Sequence, residues 1–117
     1  MKWNAVSANF MSRRSVPARS GIYCFMESNN IEGLMTETKP IYVGQSKNMR
    51  TRFMQHLNFD KCHNHKLLID LMAQSKSKAI EFHFFEAPQS DLDEVEKDLI
   101  TKLKPKHNVL MNGGQNV

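Results

Sequence analysis

The chain has 117 residues, 40% of them apolar and 24% charged, proportions of a folded domain that exclude disordered, collagen-like and coiled-coil classes. At this length roughly two-thirds of the unfolded surface is buried, enough for a core that needs neither disulfides nor a structural metal. The formal net charge of +4 is uneven, since residues 1–58 carry eight Lys and Arg against three acids and residues 59–117 carry eight against nine. Such polarity suits either attraction to phosphate or a basic surface that is simply solvated.

No apolar run approaches the roughly 20 residues of a membrane span. The N-terminus lacks the hydrophobic core of a secretory signal. Two cysteines, Cys24 and Cys62, are too few for a disulfide framework. A single cytoplasmic domain over 1–117 with no membrane partner is expected.

In chain order, residues 1–20 read as a basic arm. Trp3, Phe10 and Val16 would dock it, and Arg13, Arg14 and Arg19 would face phosphates. A strand is predicted from Gly21 through Ile22-Tyr23-Cys24-Phe25-Met26, then a polar hairpin loop over 27–39, then a second strand at Ile41-Tyr42-Val43 that stops at Gly44. Ser46 or Asn48 would cap a helix ending near Leu57, and after the polar turn at 61–65 a second helix would turn Leu67, Leu68, Leu71 and Met72 inward. Ile80, Phe82 and Phe84 alternate with Glu81 and His83 as a third strand. The last helix begins at Ser90 or Asp91, where Asp91 and Glu94 have capping-box spacing, and Pro105 ends it by Lys104. The expected fold is α+β in the order β-β-α-α-β-α, with residues 21–108 as the core and 109–117 as a tail.

Several polar residues fall where the core should be. Leu92, Val95, Leu99, Ile100 and Leu103 define one apolar helix face, and Glu96 projects from its middle. Either Glu96 is paired or binds a metal there, or its stem lies on the core while its carboxylate reaches water or a lysine. Arg52 and His56, four apart, flank the stripe of Met49, Phe53 and Leu57. They suit phosphate binding and proton handling, and equally an edge arginine and a hydrogen-bonded core histidine. Tyr23 and Tyr42 lie on the two strands of the first hairpin as ordinary buried tyrosines would, and Gly21 and Gly44 sit where turn glycines occur.

In series, these residues resemble the GIY-YIG nuclease family. Gly21-Ile22-Tyr23 matches the first name motif, and Tyr42-Val43-Gly44 matches the second with Val in place of Ile. Gly44-Gln45-Ser46-Lys47-Asn48-Met49 leading to Arg52 and His56 looks like the segment carrying the catalytic arginine. Glu96 with Leu99-Ile100, Pro105 and Asn108 looks like the glutamate helix and its Pro-x-x-Asn ending. The match runs from about Val16 to Asn108.

The resemblance implies a three-stranded antiparallel sheet flanked by helices, and metal-dependent hydrolysis of DNA phosphodiesters. Glu96 would bind one Mg²⁺, with Mn²⁺ as a substitute, and Arg52 would stabilise charge on the phosphorus oxygens. Tyr23 would activate or position water and Tyr42 would hold phosphate or that water, with cationic neighbours such as Arg52 and Lys47 stabilising a phenolate. His56 would share the proton handling or bind phosphate. Gly21, Gly44 and Asn108 would support the site, and Arg13, Arg14, Arg19, Lys47 and Arg50 would contact DNA.

Two departures carry expectations of their own. Eighteen residues (24–41) separate the name motifs, more than in compact members, which lengthens the hairpin. His107 stands where the family often has an aromatic residue. The chain leaves no length for a separate DNA-binding domain, so targeting would fall to DNA structure, a partner protein or a homodimer. The alternative function is a catalytically silent domain that binds DNA or a host protein. Zinc at Cys62, His63, His65 and His56 fits no common finger spacing, and His63-Asn64-His65 lacks the ββα setting of the nuclease class whose name it spells.

Overall fold

The computed structural model of the protein describes residues 2–58, 60–108, 110–111 and 115–116. Its centre is an antiparallel sheet of four strands in the order β1-β4-β2-β3, with β1 at Asn4–Ser7, β2 at Gly21–Ile31, β3 at Leu34–Ser46 and β4 at Lys78–Glu86. Helices α1 (Met49–His56) and α2 (His65–Met72) lie on one face, and α3 (Leu92–Leu103) lies on the other. Because β2 is flanked by β3 and β4 and its first half is covered on both faces, residues 21–26 read as an unbroken apolar run. Tyr23 and Phe25 join the core under α1 and α2, while Ile22 and Cys24 join the core under α3. The expected α+β fold is present. No helix among the described residues is long and apolar enough to cross a membrane.

The sheet has a fourth strand where three were expected. Asn4–Ser7 pairs with β4 from Asn4↔Phe84 to Ser7↔Glu81, so the arm's first residues belong to the sheet. Trp3 packs edge-on against Phe85, with ring centroids 4.6 Å apart, and Val16 is buried. Phe10 does not dock. It is 52% exposed and carries Arg13 over its ring at 4.3 Å.

The polar stretch over 27–39 is not a loop. The two strands continue to a two-residue turn at Glu32 (φ 53°) and Gly33 (φ 82°), whose paired positive φ values match the twist of a tight hairpin. Cross-strand pairs such as Glu27↔Lys39 and Ser28↔Thr38 support a ladder that apolar alternation does not announce. A bulge opposite Phe25 and Met26 leaves Ile41 as the extra residue of β3. Both Ile41 and Tyr42 then face the α1–α2 core.

Asn48 and Asn64 cap α1 and α2 by accepting the Thr51 and Leu67 amides. In α3 the expected capping box is absent. A 3-10 turn at Gln89–Asp91 leads directly into the helix, and Asp91 makes no side-chain cap bond. The helix stops before Pro105 with Lys104 left-handed at φ 46°. Met72 and Leu103, the last residues of their helices, are exposed rather than inward. The inward polar residue of α2 is Asp70.

Residues after α3 form a strap along the free edge of β3. The His107 amide donates to the Ile41 carbonyl at 2.7 Å. The Asn108 side chain accepts the Val43 amide at 2.7 Å and donates to the Val43 carbonyl at 2.8 Å, as a neighbouring strand would. Asp70 holds the strap from beneath, 2.5 Å from His107 Nε2 and within 3.2 Å of Lys78 and Lys106 Nζ. Beyond it, Leu110–Met111 pairs with Gln115–Asn116 as β5 and β6, and the rest of the expected tail lies outside the described residues.

Burial works against the Asp70 charge, but hydrogen bonds from His107, Lys78 and Lys106 outweigh it and hold its pKa at about 2, below the ordinary 3.8. A carboxylate pKa lower in the folded state contributes stability above the unfolded value and loses it as pH falls through the folded one. Asp70→Asn is expected to lower stability at pH 6 by roughly 2 kcal/mol and to flatten the loss of stability between about pH 4 and pH 2, read by urea denaturation across pH.

Candidate active site

Where β3 leaves the sheet for α1, a cleft of about 500 Å³ opens, lined by Tyr23, Tyr42, Gln45, Lys47, Arg52 and Glu96 among others. Four of the five expected catalytic residues thus meet at one place, although they come from two strands on the α1–α2 side and two helices on opposite faces. His56, the fifth, sits directly behind Tyr23.

Tyr23 pairs across the ladder with Gly44. A Cβ on Gly44 would sit 2.5 Å from the ring carbon that bears the Tyr23 hydroxyl, so glycine is required for the ring to lie over β3. Gly21 has a comparable reason, because a Cβ there would meet Met49 Sδ at 2.6 Å and overlap the β4 backbone. Both glycines permit close approach, where the sequence suggested turns. Laid across Gly44, Tyr23 is fully buried and its hydroxyl is 2.7 Å from His56 Nε2.

The direction of that bond follows from the environment. Burial lowers the His56 pKa to about 3, and nearby Arg52 and His63 act in the same sense, so the ring is neutral near pH 7. Burial also raises the Tyr23 pKa well above 10.0; Tyr42 and Glu96 add to this and Arg52 opposes it, so the phenol keeps its proton. A neutral imidazole has one bare nitrogen, and a protonated tyrosine must donate to it. His56 Nε2 therefore accepts from Tyr23. Nδ1, carrying the proton, faces Cys62 Sγ at 3.9 Å, and the Cys62 thiol donates onward to the Asn64 carbonyl at 3.4 Å. Arg52 alone does not offset the desolvation that disfavours a Tyr23 phenolate.

Glu96 is half-buried. Gln45 points to the α3 side of the sheet and donates to Asp93 Oδ1 at 2.6 Å and to Glu96 Oε1 at 3.4 Å. Burial raises the Glu96 pKa; Asp93 also raises it, while Gln45 and Arg52 lower it. A carboxylate whose charge is disfavoured and which already has an acidic neighbour is suited to a divalent cation. Among the described residues no group of three His, Cys, Asp or Glu surrounds a metal position, so any ion here would rely on Glu96, waters and substrate oxygens. Tyr42, its pKa raised by burial and by Glu96, lines the same cleft.

The expected DNA contacts are placed differently from one another. Lys47 lines the cleft. Arg50 binds the arm, donating to the Val16 carbonyl at 2.8 Å and to the Arg14 carbonyl at 3.4 Å. Arg13 donates to the Phe10 carbonyl at 3.0 Å, Arg19 pairs with Glu86 at 3.6 Å, and Arg14 is exposed. Gln45, Asp93 and Cys62 were not singled out for these roles. The only signal for Gln45 was its place directly after the second name motif.

Sheet, helices and cleft define a small α+β domain with a polar cleft at the end of β3. A model of the UvrC-like GIY-YIG domain family matches residues 19–109, and the chain belongs to that family. UvrABC system protein C of Aquifex aeolicus is 28% identical over 101 residues, which cover 86% of this chain and 15% of that protein. Its counterpart in Fusobacterium nucleatum is 32% identical over 96 residues, covering 82% and 14%. The chain thus corresponds to a small part of these relatives. Among solved structures, the GIY-YIG N-terminal endonuclease domain of UvrC from Thermotoga maritima, bound to its catalytic magnesium, is similar with a TM-score of 0.56 at 21% identity, covering 85% of this chain and 93% of that one. A point mutant of that domain gives 0.55 at 21% identity, covering 86% and 98%. At such identity the likeness shows the shared fold.

Gly44→Ala is expected to push the Tyr23 ring off β3 and break its bond to His56. The cost should be about 1–3 kcal/mol, as for other overpacked cores, and is measured by thermal denaturation beside a surface control such as Lys76→Ala.

Proposed function

We propose that this chain is a metal-dependent DNA endonuclease domain that hydrolyses phosphodiesters with Tyr23, Tyr42, Arg52, His56 and Glu96. The observation that carries this reading is the convergence of Tyr23, Tyr42, Arg52 and Glu96 on one cleft, with Tyr23 hydrogen-bonded to a neutral His56 behind it. Magnesium is the expected ion, as in the similar Thermotoga maritima domain, and manganese is the expected substitute. Glu96 would hold it, steadied by Gln45 and assisted by Asp93. When bound, the metal supplies a Lewis acid for the departing ester oxygen.

The chain's own residues do the remainder. Arg52, exposed at the cleft wall, pairs with the scissile phosphate and meets the charge that grows on its free oxygens. Tyr42 stands beside it to orient the phosphate. The Tyr23 proton points at His56, which leaves an oxygen lone pair for a hydrogen of the attacking water. As the water oxygen bonds to phosphorus and the ester bond breaks, that hydrogen passes to Tyr23 while the Tyr23 proton moves to His56 Nε2; the departing oxygen takes a proton from solvent, and the short-lived imidazolium returns its proton to Tyr23, which releases one to solvent. Cys62 keeps His56 in the receiving tautomer. Tyr23 therefore relays the proton and need not begin as a phenolate.

The test is cleavage of supercoiled plasmid by the purified protein with Mg²⁺. Nicked or linear product is expected, absent with EDTA and with Glu96→Ala, and slowed about 100- to 1,000-fold by Arg52→Ala. No product from plasmid, branched or single-stranded DNA would overturn the enzymatic reading in favour of a silent binding domain.

A further inference from the structure

A second cleft, of about 510 Å³, adjoins the first. It lies between α1 and α2, and Tyr42, Arg52 and Gln55 line both. Its remaining lining includes Lys61, His63, His65 and Lys66. Among the described residues the lining contains no Asp or Glu. Other lysines near the sheet are neutralised in place: Lys39 and Lys78 pair with Glu27, and Lys78 and Lys106 pair with Asp70. Lys61 and Lys66, both exposed, have no ion-pair partner among the described residues. Two unpaired ammonium groups and two exposed imidazoles thus continue the positive edge of Arg52 away from Glu96.

We propose that the α1–α2 cleft is a second phosphate subsite, in which Lys61 and Lys66, flanked by His63 and His65, hold a backbone phosphate of the cleaved DNA strand next to the scissile one. It rests on the endonuclease reading and adds to it a direction for the strand. From Glu96 and Arg52 the backbone continues over Tyr42 and Gln55 towards α2, away from α3. A polyanion spanning both clefts has one phosphate at Arg52 and the next among the lysines, so the subsite contributes affinity and register without base contacts.

The test measures binding of a fluorescein-labelled DNA duplex by anisotropy from about 50 to 200 mM salt, in a Glu96→Ala background that prevents cutting. Lys61→Ala/Lys66→Ala is expected to weaken binding roughly tenfold and to reduce the slope of log K against log salt by about 1, for the one phosphate that the two lysines neutralise. Lys61→Glu/Lys66→Glu should weaken it further. Lys2→Ala/Lys76→Ala removes the same charge outside both clefts and should do neither. With Glu96 intact, the cleft variant should cut plasmid more slowly at subsaturating protein. If it binds DNA like the charge-matched control while the unmodified protein still cuts plasmid, the subsite is overturned and the endonuclease reading stands. If the unmodified protein neither binds nor cuts DNA, both are overturned. Saturable uptake of inorganic phosphate that requires the two lysines, with DNA affinity unchanged by their loss, would assign the cleft to free phosphate and overturn the strand proposal.

Discussion

The hydroxyl of Tyr23 reaches His56 only because Gly44 opposite has no side chain, and the rest of the site depends on that contact. The ring lies across β3 and forms the floor of the cleft, stacked on Phe82 at 5.1 Å between centroids. Its hydroxyl meets an imidazole carried by α1 at 2.7 Å. Helix α1 can approach the sheet this closely because Gly21 leaves room for Met49. The two glycines of the name motifs thus serve one contact, each by removing a Cβ from a different side of it. Burial then decides the protonation, since it disfavours both phenolate and imidazolium and leaves one arrangement, tyrosine donating to a neutral histidine.

The site stands on an edge strand, and that placement solves a reach problem. Residues on opposite faces of a sheet cannot normally meet, yet Tyr23 and Tyr42 belong to the α1–α2 side and Glu96 to α3. At the end of β3 the faces join, and Gln45 carries Asp93 and Glu96 to the same opening as Arg52. A free edge is also a pairing hazard. Here the strap after α3 covers it, with Asn108 bonded to both polar groups of Val43 and His107 anchored on Asp70. Residues 107 and 108 therefore brace the strand that carries Tyr42, and neither lines the first cleft.

Much of the fold could be read from periodicity. The run from Ile22 to Phe25, the alternation at Ile80, Phe82 and Phe84, and the apolar face of α3 all correspond to observed elements. What escaped was structure made by backbone pairing with little hydrophobic signature. The hairpin arm over 27–39 is polar because it projects beyond the helices, and β1 is four residues long. At the site, Tyr23, Tyr42, Arg52 and Glu96 were legible only as a series that resembles the GIY-YIG motifs, since each by itself has an ordinary structural reading. Asp70 and Cys62 were not. An aspartate on an amphipathic helix reads as solvated until the lysines and histidine that surround it are seen, and Cys62, grouped with His56 only to exclude a zinc finger, gave no sign that its thiol lies against that imidazole. The turn reading of Gly21 and Gly44 failed for a related reason, because the atoms they make room for are distant in sequence.

The charge distribution completes the account. Acids gather on α3 around Glu96, and cations with no ion-pair partner among the described residues line the opposite wall and the neighbouring cleft. The Tyr23–His56 bond lies between them, buried but within the field of both, and its direction is the central claim. Long-range ¹H–¹⁵N correlation spectra of the histidine side chains, recorded from about pH 8 to about pH 4, test it most directly. The account predicts that His56 has a protonated Nδ1 and a bare Nε2 and stays neutral throughout, in keeping with a pKa near 3. A His56 that carries its proton on Nε2, or that titrates near the ordinary 6.5, would contradict it.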